Sequence, residues 1–340
     1  MTRRGVTFAL LASLALALAG CSTQAAAPAP TPKPAAAPAG RIVFRQFLDA
    51  DQKKGALVVI DTDGTHSTQI TQPVENETDA EPDWSPDGTR IVYSKFTGMG
   101  TGSESHEIDV VYADGTANVS LTAAGTAGHI NFNDQPSFSP DGSQIAYAHG
   151  DGDAAAAQLQ NTGIFVMNAD GSNAHEVVAM PPYAGDVGGV AWSPDGKQLL
   201  YGVFNTGSGQ PKLGRAFFIV NADGSGATQL TKWDSGADGS PAWSAATGTI
   251  VFRVAPDEES GIGNFFTIKP DGSGLTQVTQ TKNTTVSHKV SFSPDGGWIV
   301  FAAAPGGVSH IELSKIDGSD ARVLVGGSHD SSAPDWSPVP

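Results

Sequence analysis

The sequence predicts an all-β protein, a six-bladed β-propeller built of four-stranded antiparallel blades, and three observations support this. A turn motif preceded by an aromatic residue recurs six times, at spacings of 44–54 residues. A second turn motif, Asp-Gly followed by Thr or Ser, also occurs six times and alternates with the first. Glycine is frequent, with 41 of 340 residues, as expected of a chain with many tight turns between short strands.

The first motif reads aromatic-Ser-Pro-Asp-Gly and has the chemistry of a hairpin turn. Proline fixes its own φ near −65°, aspartate bonds the local backbone, and glycine adopts the positive φ that restarts the strand. An apolar strand sequence follows each copy, so the motif predicts a hairpin between the first and second strands of a blade. The copies begin at Trp84, Phe138, Trp192, Trp243 (a degenerate copy without the Pro-Asp pair), Phe292 and Trp336.

The second motif predicts the turn between the third and fourth strands of each blade. Its aspartates are Asp63, Asp114, Asp170, Asp223, Asp271 and Asp317. A pair such as Leu-Thr ends several of the fourth strands, at Thr71, Thr122, Thr231 and Thr279. Four short strands in each period of about 40–50 residues are typical of a propeller blade.

One blade is divided between the two ends of the chain. Residues 333–338 carry its aromatic strand, and residues 41–71 carry its other three strands. Pairing of the N-terminal and C-terminal segments would therefore close the ring and leave no free sheet edge. We assign residues 41–340 to the propeller.

Residues 1–20 have the features of a lipoprotein signal peptide. Two arginines precede a short apolar run that ends in Leu18-Ala19-Gly20-Cys21; this run, about 15 residues, is short for a membrane span. The ending resembles the lipobox of bacterial lipoproteins, which implies that Cys21 is lipidated and becomes the mature N-terminus. Cys21 is the only cysteine; the alternative is an ordinary signal peptide with a chance cysteine. Residues 21–40 combine the lipidated cysteine with an Ala/Pro-rich tether.

Charge and the predicted anchor limit the partners. The formal net charge is −16, which disfavours binding to the phosphate backbone of nucleic acids. We expect an exported monomer held at the membrane by its lipid and meeting an envelope protein or a cell-wall component. With two membranes it would lie on the periplasmic side of the outer one, and with one membrane on the outer face of the cell.

The candidate site lies at the end of the strands that lacks the two turn motifs. This loop end carries long, dissimilar loops at residues 97–107, 150–163, 205–215 and 256–263, and varied loops on a rigid scaffold often carry function. The segments that begin each blade reach the central channel at this end. Their polar residues, here called the channel mouth, are Asp79, Glu81, Asn133, Asp134, Asp186, Asp238, His288, His329 and Asp330.

A ring of these residues would form an acidic mouth. It could bind a basic peptide, a polar glycan or a divalent cation such as calcium; no other cofactor is predicted. The alternative is that they are solvated residues that form turns. The segment Asp151-Gly152-Asp153 resembles part of a calcium loop, but the remaining ligands are missing, so a flexible loop is the preferred interpretation.

The repeats resemble the WD40-like repeat of the TolB propeller, called PD40, over residues 41–340. The resemblance implies the propeller fold and, since the TolB propeller meets peptidoglycan-associated lipoprotein and other envelope partners, a role in binding. Two differences leave a true Tol–Pal role open. The TolB α/β domain has no counterpart before this propeller, and TolB is a soluble periplasmic protein whereas this chain has a predicted lipid.

The favoured function is therefore an envelope-anchored binding module for a protein, a peptide or a cell-wall glycan. We predict no enzyme activity, because the sequence has no Gly-x-Ser-x-Gly, His-Glu-x-x-His, Walker A or Gly-x-Gly-x-x-Gly motif. The alternative is a metal-assisted enzyme acting on polysaccharide, or a sugar-binding lipoprotein, with the metal in the acidic channel. A third possibility is a structural spacer near the cell wall.

Overall fold

The computed structural model describes residues 36–98, 104–125, 129–153, 160–181, 184–205, 214–255, 262–281 and 284–339. Within these ranges the chain forms 24 β-strands. None of the described residues belongs to a helix of the length and apolarity needed to cross a membrane.

The strands form sets of four, each beginning with a strand that ends in the aromatic residue of the first motif. One set spans both chain ends: β24 (Ser331–Trp336), β1 (Arg41–Phe47), β2 (Lys54–Asp61) and β3 (Thr68–Gln69). The next two are β4 (Glu77–Trp84), β5 (Arg90–Thr97), β6 (Ser105–Tyr112) and β7 (Val119–Ser120), then β8 (His129–Phe138), β9 (Gln144–Asp153), β10 (Gln160–Asn168) and β11 (His175–Ala179).

The remaining three sets follow the same order. They are β12 (Ala184–Trp192), β13 (Gln198–Asn205), β14 (Gly214–Asn221) and β15 (Thr228–Gln229); β16 (Ala237–Trp243), β17 (Ile250–Val254), β18 (Asn264–Ile268) and β19 (Thr276–Gln277); and β20 (Thr285–Phe292), β21 (Trp298–Ala304), β22 (His310–Lys315) and β23 (Arg322–Val325). Within each set, neighbouring strands pair antiparallel in a meander.

The first strand of each set lies on the inside of the molecule. These inner strands, β4, β8, β12, β16, β20 and β24, contact one another in that order, and β24 in turn contacts β4. Strand β24 pairs antiparallel with β1, so that Ile42 faces Trp336 and Val43 faces Asp335. The two ends of the described chain thus share one sheet, as the sequence predicts. The strand begins at Ser331, two residues before the predicted start.

Both turn motifs are stabilised by their own side chains. In the second motif, one aspartate oxygen accepts bonds from the backbone and the hydroxyl two residues later, as in Asp63 with Thr65 at 2.9 and 2.6 Å. In the first motif, Ser85 Oγ donates to Asp87 Oδ1 at 2.6 Å. The degenerate copy lacks that aspartate, and Ser244 Oγ instead accepts from Thr247 N at 3.2 Å. The turn therefore forms without the Pro-Asp pair.

The threonine that ends several blades has a definite structural role. Its hydroxyl accepts a hydrogen bond from the backbone of the third strand, as in Leu57 N to Thr71 Oγ1 and Phe217 N to Thr231 Oγ1, both at 2.9 Å. The bond supplements a fourth strand that is only two residues long in β3 and β15. Short outer strands of this kind offer little edge for unwanted pairing.

The core is divided among the interfaces between neighbouring sheets. One cluster joins Ile42, Phe44 and Trp336 of the sheet that contains the chain ends to Trp298 and Leu313, which belong to β21 and β22 of the neighbouring sheet. One sequence interpretation is wrong here: residues 151–153 are not a loop but the end of β9, where Asp151 and Gly152 pair with β8. The glycines in this segment fit the sheet, and Asp151 Oδ1 accepts from Asn161 Nδ2 at 2.9 Å.

Candidate binding site at the channel mouth

The structure places the channel-mouth residues on the inner strands. Asp79 and Glu81 lie in β4, Asn133 and Asp134 in β8, Asp186 in β12, Asp238 in β16 and His288 in β20, while His329 and Asp330 immediately precede β24. Most belong to the starting half of a strand or to the segment before it, whereas Glu81 and Asp134 lie just past the middle of β4 and β8. The side chain of Asp186 is outside the described residues.

A repeated bulge shapes these strands. The pairing of the inner strand with the second strand is interrupted at Ala80/Asp83, at Asp134/Ser137 and in three further strand pairs. Glu81 and Gln135 have positive φ values of 48° and 54° at these sites. A bulge of this kind bends the strand and changes the direction of side chains. It therefore helps to determine which polar groups face the channel.

Most of the predicted acidic ring is buried. Asp79, Asn133, Asp134 and Asp238 are only 3–9% exposed, so neither an open acidic ring nor a set of solvated turn residues describes them. Glu81 and Asp330 are half-buried and His329 is exposed. The His288 side chain is 71% exposed.

Asp238 is the centre of a charged cluster. Its Oδ2 lies 2.6 Å from Arg253 Nη1, its Oδ1 lies 3.1 Å from Arg215 Nε, and His288 Nδ1 is 3.4 Å away. Burial alone would raise the pKa of Asp238, but the hydrogen bond from His288 and the charges of Arg215 and Arg253 outweigh it and lower the pKa to about 2. Asp238 is therefore ionised at neutral pH and held by two guanidinium groups.

A pocket of about 230 Å³ opens beside this cluster. Arg215, Asp238 and His288 line it together with Gln135 and Phe204. The Arg215 guanidinium also lies over the Phe204 ring, 4.8 Å from its centroid, an arrangement that fixes a long cationic side chain. The pocket therefore offers a charged and an aromatic surface on a rigid frame.

Arg45 provides a further positive charge at the mouth. Its guanidinium lies in the field of Glu81, Asp134 and Asp330 and donates from Nε to Ser332 Oγ at 2.9 Å. Sequence reasoning missed Arg45, Arg215 and Arg253, because these arginines belong to second or third strands rather than to the inner ones. Their common signal is an arginine near the loop end of such a strand.

The hydrogen bonds differ among three carboxylates of the mouth, those of Asp134, Glu81 and Asp330. Asp134 Oδ1 accepts from Ser94 Oγ at 2.7 Å. Asp330 accepts from Ser309 N at 2.6 Å and from Gln52 Nε2 at 2.7 Å. Glu81 Oε2 is buried and has no hydrogen-bond partner among the described residues. Asp330 thus holds two loops in place and Asp134 ties β8 to β5, while Glu81 retains an unused acceptor.

Asn133 contacts two histidines, His106 through its backbone and His149 through its ring. Its amide nitrogen donates to the His106 carbonyl at 3.1 Å, and its Oδ1 lies 2.8 Å from His149 Nδ1. The His106 ring lies between Phe96 and Phe132, with centroids 4.1 and 4.4 Å away. Burial lowers the pKa of His106 to about 4, so this ring is neutral at pH 7.

The mouth is therefore of mixed charge, since arginines accompany its carboxylates. Among the residues that the structure describes, no three histidine, cysteine, aspartate or glutamate side chains are grouped so as to hold a metal ion. Binding of a ligand or a cation at the mouth stays a prediction.

Comparisons with known proteins agree on the fold. The structure of TolB from Acinetobacter baumannii has a TM-score of 0.65 and 19% identity, and the match covers 88% of this chain and 66% of that one. The structure of putative TolB from Agrobacterium tumefaciens has a TM-score of 0.57 and 16% identity, and the match covers 89% of this chain and 100% of that one. An oligogalacturonate lyase in complex with manganese has a TM-score of 0.51 at 17% identity, covering 81% of this chain and 77% of its own. Likeness at these identities shows the fold alone.

Sequence comparison identifies the family. The Tol-Pal system protein TolB of Francisella tularensis subsp. mediasiatica (strain FSC147) is 32% identical over 112 residues, which are 33% of this chain and 22% of the relative. The matched segment thus spans about a fifth of that relative's length. The family profile described as the TolB beta propeller domain, PD40, matches residues 32–340. Because this match covers most of the chain, the protein belongs to the PD40 family of TolB β-propeller domains.

Proposed function

We propose that this protein is an envelope-anchored binding module that meets a protein, peptide or cell-wall glycan at the channel mouth. The observation that carries the proposal is the mouth itself: exposed His288 lines a pocket of about 230 Å³ together with Arg215, and exposed His329 lies in the segment before the inner strand β24. Side chains held by packed strands make a preorganised site, which favours binding. The named TolB relatives support an envelope setting.

We further infer a closed ring of six blades. The support is the count of 24 described strands in sets of four, the antiparallel pairing of β24 with β1, and the cyclic contacts of the inner strands. A closed ring has few free edges. It would hold the mouth residues of different blades at fixed distances.

The anchor is the second part of the proposal. The described chain begins at the end of the propeller that carries the two turn motifs, here called the turn end. There Thr62 Oγ1 donates to Pro38 O at 2.8 Å, and Thr62 N donates to Gly40 O at 3.0 Å. The mouth lies at the other end. A lipid on Cys21 would anchor the chain at the membrane, and residues 36–40 join the propeller at the turn end.

The binding role is tested by cross-linking capture from native envelopes, followed by reconstitution with the purified partner. We expect a His288→Ala/His329→Ala variant to lose at least tenfold in affinity for that partner. The matched control is His66→Ala/His175→Ala, because both of these histidines are exposed at the turn end, and it should bind as the wild type does. Equal affinity of both double variants would exclude the mouth as the site.

The anchor is tested separately with Cys21→Ser. The wild type should fractionate with membranes and carry the mass of a diacylglycerol, while the variant should be released and lack that mass. A Cys21→Ser protein that still carries the lipid would contradict the anchor without affecting the binding role.

A further inference from the structure

A second cavity lies at the turn end of the channel. Its volume is about 290 Å³, and residues of all six inner strands line it. The prolines of the first motif surround its opening, namely Pro86, Pro140, Pro194, Pro294 and Pro338. Small-molecule sites run from roughly 300 Å³ upward, so this cavity suits one side chain or a small molecule.

Three charged residues lie among the residues that line the cavity, and their charges do not balance. Lys289 donates from Nζ to Pro82 O at 2.6 Å. Asp83 Oδ2 accepts from Phe138 N at 2.8 Å, and Asp335 Oδ2 accepts from Trp84 N at 2.9 Å. Two carboxylates thus face one ammonium. Each carboxylate has room for further hydrogen bonds, since a carboxylate offers about four acceptor positions.

The two carboxylates raise each other's affinity for protons. Burial raises the pKa of Asp83 and of Asp335, the negative charge of Asp335 adds to the effect on Asp83, and Lys289 opposes it for both. Among the residues that the structure describes, no other titratable group lines the cavity. A second positive charge would relieve this repulsion.

An independent observation comes from Ser240. Ser240 lines the same cavity and is only 8% exposed, and its Oγ has no hydrogen-bond partner among the described residues. A buried polar group left without a partner costs about 1–3 kcal/mol. A ligand with a hydrogen-bonding group would satisfy it.

We propose that this cavity is a binding site for a guanidinium group, such as the side chain of an arginine that a partner inserts from the turn end. The planar group can donate to both carboxylates and can stack on aromatic faces, which a compact ammonium does less well. Trp84, Trp192, Trp243 and Trp336 line the cavity and provide such faces. The site lies at the other end of the channel from the mouth and does not depend on the function proposed there.

The site predicts a linkage between binding and protons. A bound cation favours the ionised carboxylates, so binding should release protons and strengthen as the pH rises. A neutral ligand of the same shape should show neither effect. These two properties separate recognition of the charge from general filling of the cavity.

The test uses the lipid-free full-length propeller and the peptide acetyl-Gly-Arg-Gly-amide, followed by tryptophan fluorescence and calorimetry at pH 5 and pH 8. The control peptide carries citrulline, which has the shape of arginine without its charge. We expect the arginine peptide to bind at least tenfold more tightly than the citrulline peptide, and more tightly at pH 8 than at pH 5. Equal affinities for both peptides, or no binding of either, would overturn the proposal.

Variants locate the site. Asp83→Asn and Asp335→Asn should each weaken binding of the arginine peptide at least tenfold, and Ser240→Ala should weaken it several-fold. Asp51→Asn is the matched control, because Asp51 is exposed in the loop between β1 and β2, and it should bind as the wild type does. Melting curves verify that each variant is folded. Wild-type affinity in folded Asp83→Asn and Asp335→Asn would refute the assignment, whatever the mouth binds.

Discussion

Two buried aspartates on inner strands show how neighbouring charges determine the behaviour of a carboxyl group. Asp79 and Asp238 are 3% and 4% exposed. The pKa of Asp79 is raised to about 7, because burial outweighs the hydrogen bond from Thr71 and the charge of Lys95. The pKa of Asp238 falls to about 2 beside His288 and two arginines. At neutral pH Asp238 is a fixed charge, whereas Asp79 is close to half protonated.

Asp79 therefore makes the stability of the fold depend on pH. A folded pKa of about 7 exceeds the ordinary value of 3.8, so the contribution of this group is complete below pH 3.8 and is lost as the pH rises through 7. Asp79→Asn removes that loss, since an amide stays neutral and still accepts from Thr71. We expect the free energy of unfolding of the variant, relative to wild type, to rise by about 1.4 kcal/mol per pH unit in that range.

Urea denaturation at pH 5 and pH 8 measures this difference. Asp51→Asn, an exposed aspartate, should give the same difference from wild type at both pH values. If Asp79→Asn also gave a difference independent of pH, Asp79 would not be the titrating group.

At the scale of the strand, the bulge of β16 brings its backbone close to the neighbouring inner strand β20. Gly239 has a φ of 82°, and a Cβ atom there would overlap the carbonyl oxygen of His288 and lie 2.9 Å from its carbonyl carbon. Gly248 has a φ of 67°, but nothing lies within 4 Å of its Cβ position. The two glycines thus separate the cost of the backbone conformation from the cost of a steric clash.

We predict that Gly248→Ala lowers the free energy of unfolding by about 1–2 kcal/mol, the usual penalty for the left-handed conformation. Gly239→Ala should cost at least twice as much, because its obstacle is backbone and cannot rotate away. The denaturation midpoints of the two variants test this. Equal losses of unfolding free energy in the two variants would show that β20 can move away from β16 without lowering the stability.

The repeats predict the elements better than they predict the site. The turn motifs locate the strands because Pro, Asp and Gly act on their own backbone, and even the copy without Pro-Asp at Trp243 forms its hairpin. Contacts between distant residues have no such local signal: Lys289 bonds the carbonyl of Pro82, 207 residues away. The charge pattern of an inner strand likewise does not reveal that Arg253 will neutralise Asp238, since they meet only after the second strand has paired.

At the scale of the molecule, the seam between the chain ends has several kinds of contact. Trp336 is 3% exposed and packs with Ile42 and Phe44. Asp335 accepts from the backbone of Trp84 in the neighbouring blade, and its carbonyl lies 3.3 Å from the Trp84 ring nitrogen. The last strand therefore joins β1 on one side and β4 on the other. Its removal should weaken the packing of both β1 and β4 rather than of β1 alone.

Deletion of residues 333–340 tests this dependence. Loss of the Trp336 side chain alone should cost about 3–5 kcal/mol of stability. Loss of the pairing with β1 and of the Asp335 bond adds to this cost, so the melting temperature should fall sharply.

Deletion of residues 339–340 alone is the control, because the bonds of Val339 within the described chain are to Ser337. This shorter deletion should melt nearly as the wild type does. A synthetic peptide of residues 329–340 should restore stability to the longer deletion, since the missing strand can then pair with β1 from outside. An unchanged melting curve for the longer deletion would contradict closure by the chain ends, and so would a peptide that binds without raising the melting temperature.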